Sequence, residues 1–240
     1  MNESDDRNVI IWTDGSSLGN PGPGGFGAVI VWREKNIVRE IGGYARETTN
    51  NRMELTAVIE ALIALEGVIG RVTIHTDSAY VLNGITLWVH GWQKNNWMTA
   101  QKKPVLNQDL WQRLLLLTHE RNAKGILEWK KVKGHSGNLG NERADVIATS
   151  FADENQVELF HGTVDEYSAH IGGSVFAEHA GMPAKRQGKA YSYLSLVDGV
   201  LAKHATWAEC EARVKSLSGV KFKKALSEAD EEAIIREWGL

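Results

Sequence analysis

The sequence predicts an α/β protein: a five-stranded mixed sheet flanked by helices, then a small C-terminal α+β module of ββαβα order. Three observations carry this. First, Val9-Ile10-Ile11-Trp12-Thr13-Asp14 and Val72-Thr73-Ile74-His75-Thr76-Asp77 are apolar, β-branched runs that both finish on Thr-Asp, as buried strands do on leaving a sheet. Second, a helical segment separates the two runs, so they are expected to be parallel with a right-handed crossover. Third, Tyr191–Trp238 alternates strand and helix patterns over a short span.

In chain order, the loop Gly15–Pro23 leads to a strand, Ala28–Trp32, whose hairpin partner is Ile37–Tyr44. Gly22-Pro-Gly24-Gly-Phe-Gly27 satisfies the dinucleotide pattern G-x-G-x-x-G, but that pattern has to open a helix and here it opens a strand. Its glycines are better read as backbone thinned for twist or close approach. A helix from about Asn50 to Glu66 shows Leu55, Val58, Ile59 and Leu62 at i, i+3, i+4, i+7. Glu54 sits at the margin of that face, or serves as the N3 partner of Asn51 in a capping box. Helices are expected over Ala79–His90 and Asn107–Arg121, then a strand, Ile126–Val132. After Gly134-His135-Ser136-Gly137, a last helix carries Ala144, Ile147, Ala148 and Phe151 on one face, with Asp145 at its flank. Periodicity then fades, giving residues 1–153 as one domain, 154–188 as a linker with at most one short element, and 189–240 as a second domain.

A chain of 240 residues suits two unequal domains, and 42% apolar with 24% charged residues is an ordinary globular composition. No apolar run approaches the ~20 residues that span a bilayer, and the N-terminus is no signal peptide. A single cysteine, Cys210, excludes an internal disulfide framework and fits a reducing cytoplasm. The net charge of −3 gives no general attraction to nucleic acid, so such binding has to come from local patches.

Functional groups in open α/β sheets gather beyond the carboxyl ends of the strands, which would bring Asp14 and Asp77 together. Each has a plain alternative as a turn or cap residue, and Asp145 as an exposed helix charge. As a set with Glu54 they are harder to explain without a cation: two carboxylates 5 Å apart repel by roughly 3 kcal/mol at an effective dielectric near 20. Oxygen ligands select Mg²⁺ or Mn²⁺ over zinc.

Thr13-Asp14-Gly15-Ser16, Thr49-Asn50-Asn51-Arg52-Met53-Glu54-Leu55, Thr76-Asp77-Ser78 and Gly134-His135-Ser136-Gly137…Asn141-Glu142-Arg143-Ala144-Asp145 closely resemble type 1 ribonuclease H, in order over about residues 7–153. The resemblance implies an endoribonuclease that cuts the RNA strand of RNA–DNA hybrids with two Mg²⁺ ions, Mn²⁺ being able to substitute, and leaves 5′-phosphate and 3′-hydroxyl ends. It assigns Asp14, Glu54, Asp77 and Asp145 as metal ligands. His135, on the loop before the last helix, would assist proton transfer or product departure. Gly15, Ser16, Ser17, Asn20, Asn50 and Asn51 would read the hybrid. Trp88, Trp92 and Lys94 would belong to a basic protrusion that grips the DNA strand, although Trp88 and Trp92 at i, i+4 fit core packing equally well. Four positions depart from a bacterial branch of the family: Ser17 stands for cysteine, Ala79 for glutamine, and Asn95 and Asn96 for Lys or Arg. Fewer cations would weaken the grip.

The tail, Thr206-Trp207-Ala208-Glu209-Cys210-Glu211…Gly219-Val220-Lys221-Phe222-Lys223-Lys224, resembles the hybrid-binding domain of eukaryotic type 1 ribonucleases H, shared with viral inclusion-body proteins and there usually N-terminal. The resemblance gives Trp207, Lys223 and Lys224 contacts with the duplex backbone. The alternative is a helix-start core tryptophan with solvent-facing lysines. No membrane association and no obligate protein partner are implied. Two rivals remain: another nuclease of the same superfold, and a non-catalytic binder of hybrid or duplex RNA.

Overall fold

Strand β1, Asn8–Ser17, sends Val9, Ile11 and Thr13 to one face of its sheet and Trp12 and Asp14 to the other, following the two-residue period of a strand. It pairs antiparallel with β2, Gly22–Trp32, which continues antiparallel into β3, Ile37–Thr48. On its other side β1 pairs parallel with β4, Arg71–Thr76, reached through helix α1, Asn50–Ile63. Parallel β5, Leu127–Lys131, follows helices α2, Ala79–Asn83, α3, Val89–Lys94, and α4, Gln108–Asn122. Helix α5, Leu139–Ala152, closes the other face. This computed structural model describes residues 8–134, 137–176, 191–197, 199–214, 220–225 and 227–238, which fall into two compact units, Met1–Ala180 and Gly181–Leu240.

The first unit is a three-layer sandwich. Leu55, Val58, Ile59 and Leu62 of α1 pack with Ile11, Ile30, Ile74 and Trp111 on one face of the sheet. Each such buried side chain stabilises the fold by about 1.5–3 kcal/mol, and truncating Leu55 to alanine would cost about 2–5 kcal/mol. On the other face Val29, Val31 and Val38 pack with Ile147 and Phe151 of α5.

The expected strands and helices of residues 8–152 are present, with three differences. The loop after Asp14 is short, because β1 runs to Ser17 and β2 starts at Gly22. The helix expected over Ala79–His90 is interrupted by a π-helical segment, Gly84–Trp88, where a Cβ on Gly84 would lie 1.9 Å from the Trp111 ring. The sheet has six strands rather than five, in the order β5-β4-β1-β2-β3-β6. The sixth, β6, His161–Thr163, pairs with Ile37–Arg39 at the start of β3 and is followed by α6, Val164–His170. Much of the stretch expected to be linker is therefore built into the first unit, with Tyr167 and Val175 buried in its second core. The rest of that stretch, 177–188, lies outside the described residues.

The second unit has the expected ββαβα order: β7, Ser192–Val197, β8, Val200–His204, α7, Trp207–Val214, β9, Lys221–Ala225, and α8, Glu228–Glu237. β7 is the central strand, antiparallel to both neighbours. The core is small: Leu194, Ala225 and Ile234 are buried, with Leu201, Ile235 and Trp238 packed around them. Thr206 and Glu209 cap the start of α7 reciprocally, the Glu209 amide donating to the Thr206 hydroxyl and the Thr206 amide to the Glu209 carboxylate. No described helix is long and apolar enough to cross a membrane.

Candidate active site

Asp14 and Asp77 each follow the last paired residues of the parallel β1–β4 ladder, Thr13 and Thr76, so strand register places them side by side. Two close approaches bring the helices to the same edge. A Cβ on Gly15 would lie 2.2 Å from the Glu54 amide nitrogen, so the first turns of α1 rest directly on the β1 backbone. Gly27, the cross-strand partner of Asp14, meets α5 in the same way, with the Ala144 carbonyl 2.4 Å from the place of its missing Cβ. Any larger residue at either position would push Glu54 or Asp145 outward.

The local chemistry then orients each carboxylate. Asp14 Oδ1 accepts from the Gly15 amide at 2.7 Å. Glu54 accepts from Asn50 Nδ2 at 3.0 Å and from the Ser78 hydroxyl. Asp77 Oδ2 accepts from Asn141 Nδ2 at 3.2 Å, and Asp145 Oδ1 from the Thr149 hydroxyl at 3.4 Å. The capping alternative for Glu54 is overturned: Thr49 caps α1 by accepting from the Arg52 amide, so Arg52 occupies N3 and Glu54 is free to face the edge. On the same face of β1 as Asp14, Trp12 stacks on His75 with ring centroids 5.3 Å apart and covers Gly140.

Burial and the neighbouring charges decide the electrostatics. Burial first, then the charges of Asp77, Asp145 and Glu54, push the Asp14 carboxyl up to about 7, against the opposing Gly15 amide. Glu54 is also raised, chiefly by burial and further by Asp77, while its bonds from Ser78 and Asn50 act the other way. The donors are all oxygens, and Asp14 and Glu54 are already raised by burial and by their acidic neighbours, a set suited to hard divalent cations. Among the described residues no three acidic, histidine or cysteine side chains are yet closed around one point, so side-chain rotation would have to complete such a site.

Of the other residues singled out, Gly15, Ser16 and Ser17 line the end of β1, where Ser17 donates to the Gly19 carbonyl at 2.7 Å. Asn20 and Asn51 are exposed nearby. Trp92 is half-buried and packs on Trp111 at 5.5 Å, while Trp88 is 39% exposed and Lys94 is exposed at the end of α3. His135 lies outside the described residues. In the second unit Trp207 is 41% exposed and stands between Tyr193 at 5.7 Å and Phe222 at 5.5 Å. Lys224 pairs with Tyr193 and shares that aromatic face, whereas Lys223 pairs with Leu194 and points to the other. Two residues were not singled out from the sequence. Asn141 is 3% exposed and holds Asp77 from α5, a pairing 64 residues apart with no local signal. Phe222, 50% exposed, could have been found from its place between two lysines on a short strand.

An antiparallel β1–β2–β3 meander, parallel β4 and β5, and a carboxylate cluster at the β1–β4 edge together define a nuclease of the ribonuclease H fold. The comparisons agree. Residues 6–153 match the model of the family described as RNase H. A ribonuclease H of Zymomonas mobilis is 51% identical over 147 residues, 61% of this chain and 90% of its own length. One of Rhodospirillum rubrum is 50% identical over 165 residues, 68% of this chain and 92% of its own. Among solved structures, LC9-RNase H1, a type 1 RNase H with the type 2 active-site motif, superposes with a TM-score of 0.57 at 32% identity, covering 68% of this chain and 81% of that one. The chain belongs to the ribonuclease H family and is an endoribonuclease.

Proposed function

We propose that this protein hydrolyses the RNA strand of RNA–DNA hybrids, using two divalent ions, Mg²⁺ or Mn²⁺, held by Asp14, Glu54, Asp77 and Asp145, and leaves 5′-phosphate and 3′-hydroxyl ends. The observation that carries the reading is the convergence of these four side chains on one sheet edge, with Asp14 raised to about 7 by burial and its three neighbours. When bound, the ions supply water activation and charge stabilisation at the leaving oxygen. The chain's own groups do the rest. Ser78 and Asn50 hold Glu54, and Asn141 holds Asp77. His135 assists proton transfer or product departure.

Gly15, Ser16, Ser17, Asn20 and Asn51 read the hybrid from the rim of the site, where backbone and amide groups can meet 2′-hydroxyls. Trp88 and Lys94 supply a weak outer contact. The C-terminal domain, residues 189–240, adds a further contact through the exposed rings of Trp207 and Phe222 and the cation of Lys224, which suit a nucleic-acid backbone and its sugars. Linking two weak sites raises affinity through effective concentration. The enzyme acts in the cytoplasm. Labelled RNA–DNA hybrid, duplex RNA and duplex DNA, each with Mg²⁺, Mn²⁺ or EDTA, test the whole reading. Cleavage is expected for the hybrid alone and only with metal. Metal-independent cutting, or binding without any cutting, refutes it.

A further inference from the structure

Arg143, Ala144 and Asp145 are consecutive on α5, so their side chains leave the helix about 100° apart. Ala144 is fully buried on Gly27 of β2. Arg143 and Asp145 therefore project to opposite flanks of that contact. Arg143 reaches toward β3, where it donates to Glu40 from Nε at 2.7 Å and Nη2 at 2.9 Å. Asp145 lies toward the ends of β1 and β4, within electrostatic range of Asp14.

Glu40 is 3% exposed, an expensive place for a carboxylate unless every lone pair is used. Its two oxygens are shared evenly. Oε1 accepts from Arg143 Nε and from the Tyr167 hydroxyl at 2.7 Å; Oε2 accepts from Arg143 Nη2 and from the Phe160 amide at 3.0 Å. Arg143 Nη2 donates further to the Glu158 carbonyl at 3.1 Å. Burial pushes the Glu40 carboxyl up, and the donors from Arg143, Phe160 and Tyr167 outweigh it, holding Glu40 below its usual value. Glu158, Phe160 and Tyr167 all belong to the segment around β6 and α6, beyond the matched family region at 6–153.

We infer that this segment is a positioning element for the catalytic edge: Tyr167, acting through Glu40 and Arg143, sets the rotation of α5 and so the place of Asp145. The inference rests on the reading of Asp145 as a metal ligand. A rotation of about 10° about the helix axis moves a carboxylate about 6 Å from that axis by about 1 Å, enough to spoil a metal site. Tyr167→Phe leaves the ring in its core and removes the one hydroxyl that balances Oε1.

The test is Mn²⁺ binding to the full chain by titration calorimetry, without substrate, alongside hybrid cleavage. Tyr167→Phe and Glu40→Gln should weaken Mn²⁺ binding by about tenfold, in the range for outer partners of metal ligands, and lower kcat with KM for hybrid unchanged. Val175→Ala, which thins the same core without touching Glu40, should lower the melting temperature and leave Mn²⁺ affinity within about twofold of wild type. Wild-type Mn²⁺ affinity in Tyr167→Phe, or an equal loss in Val175→Ala, overturns the inference while the nuclease reading stands. A wild-type protein that binds no Mn²⁺ overturns both.

Discussion

The carboxylate edge of the first unit and the aromatic face of the second are built on opposite principles. At the edge, four elements converge, backbone meets backbone at Gly15 and Gly27, and each carboxylate has a donor that fixes its direction. The aromatic face belongs to a unit with a small core, and its rings are half exposed. Chemistry on a phosphodiester needs charge held within fractions of an ångström, and here the thinned backbone brings the four carboxylates to one edge, from which side-chain rotation would have to close the set. Stacking on sugars and bases tolerates looser geometry. Changes at the edge should therefore act on kcat, and changes on the face on KM.

The sharpest break is Asp14→Asn or Asp77→Asn. Turnover should fall by about 10³-fold or more while hybrid binding, followed by fluorescence anisotropy, is largely kept; near-wild-type turnover would remove the metal assignment. His135→Ala should come next, slowing turnover by about 10²-fold, the scale of a lost proton-transfer group, with the metal requirement unchanged. A loss as complete as that of Asp14→Asn would promote His135 to an indispensable base.

Acidity probes the edge without substitution. Asp14 is raised in the folded state, to about 7, so the folded protein binds more protons than the unfolded chain between that value and the ordinary 3.8. Metal-free stability should then rise as pH falls from 8 toward 5, by on the order of 2 kcal/mol once protein relaxation is allowed for. Mg²⁺ should flatten the trend, and Asp14→Asn should reduce it to the smaller part that raised Glu54 leaves and stabilise the metal-free protein. A melting temperature that falls steadily over that range would contradict the crowding of charge at the edge.

The smallest expected effects lie on the aromatic face. Trp207→Ala should raise KM for long hybrids about threefold to tenfold, consistent with ~1–3 kcal/mol for a lost stacking contact partly redundant with the first unit. Lys224→Ala should raise it about twofold and make the salt dependence shallower. Lys223→Ala should do less than Lys224→Ala, because it occupies the other face of β9. Equal effects from the two lysines would mean that duplex wraps the edge of the sheet instead of lying on the aromatic side.

Legibility in the sequence followed the range of the interactions. β1, β4, α1 and α5 carry their own periodicity, Asp14 and Asp77 sit where the two strands end, and Glu54 and Asp145 flank the apolar faces of their helices, so both fold and edge could be read locally. β6 and α6 could not, because their apolar residues follow no period and the partners of Glu40 lie 103 to 127 residues away. Thr163-Val164-Asp165-Glu166 did carry a capping box at the start of α6, a local signal overlooked among polar neighbours. The π-helical segment depends on one ring, Trp111, settling against Gly84 from a distant helix. The opposed lysines of β9 needed only strand alternation.

The sixth strand also bears on how this protein behaves in a crowded solution. An uncovered sheet edge invites another chain to add to it. β6 covers the apolar start of β3, Ile37 to Arg39, and the opposite border, β5, presents exposed Lys130 and Lys131. One border is thus covered where it is apolar and the other is charged, which discourages sheets from joining edge to edge. A form cut back to the catalytic region alone would bare Ile37 and Val38, and would be expected to clump on concentration even where it still folds.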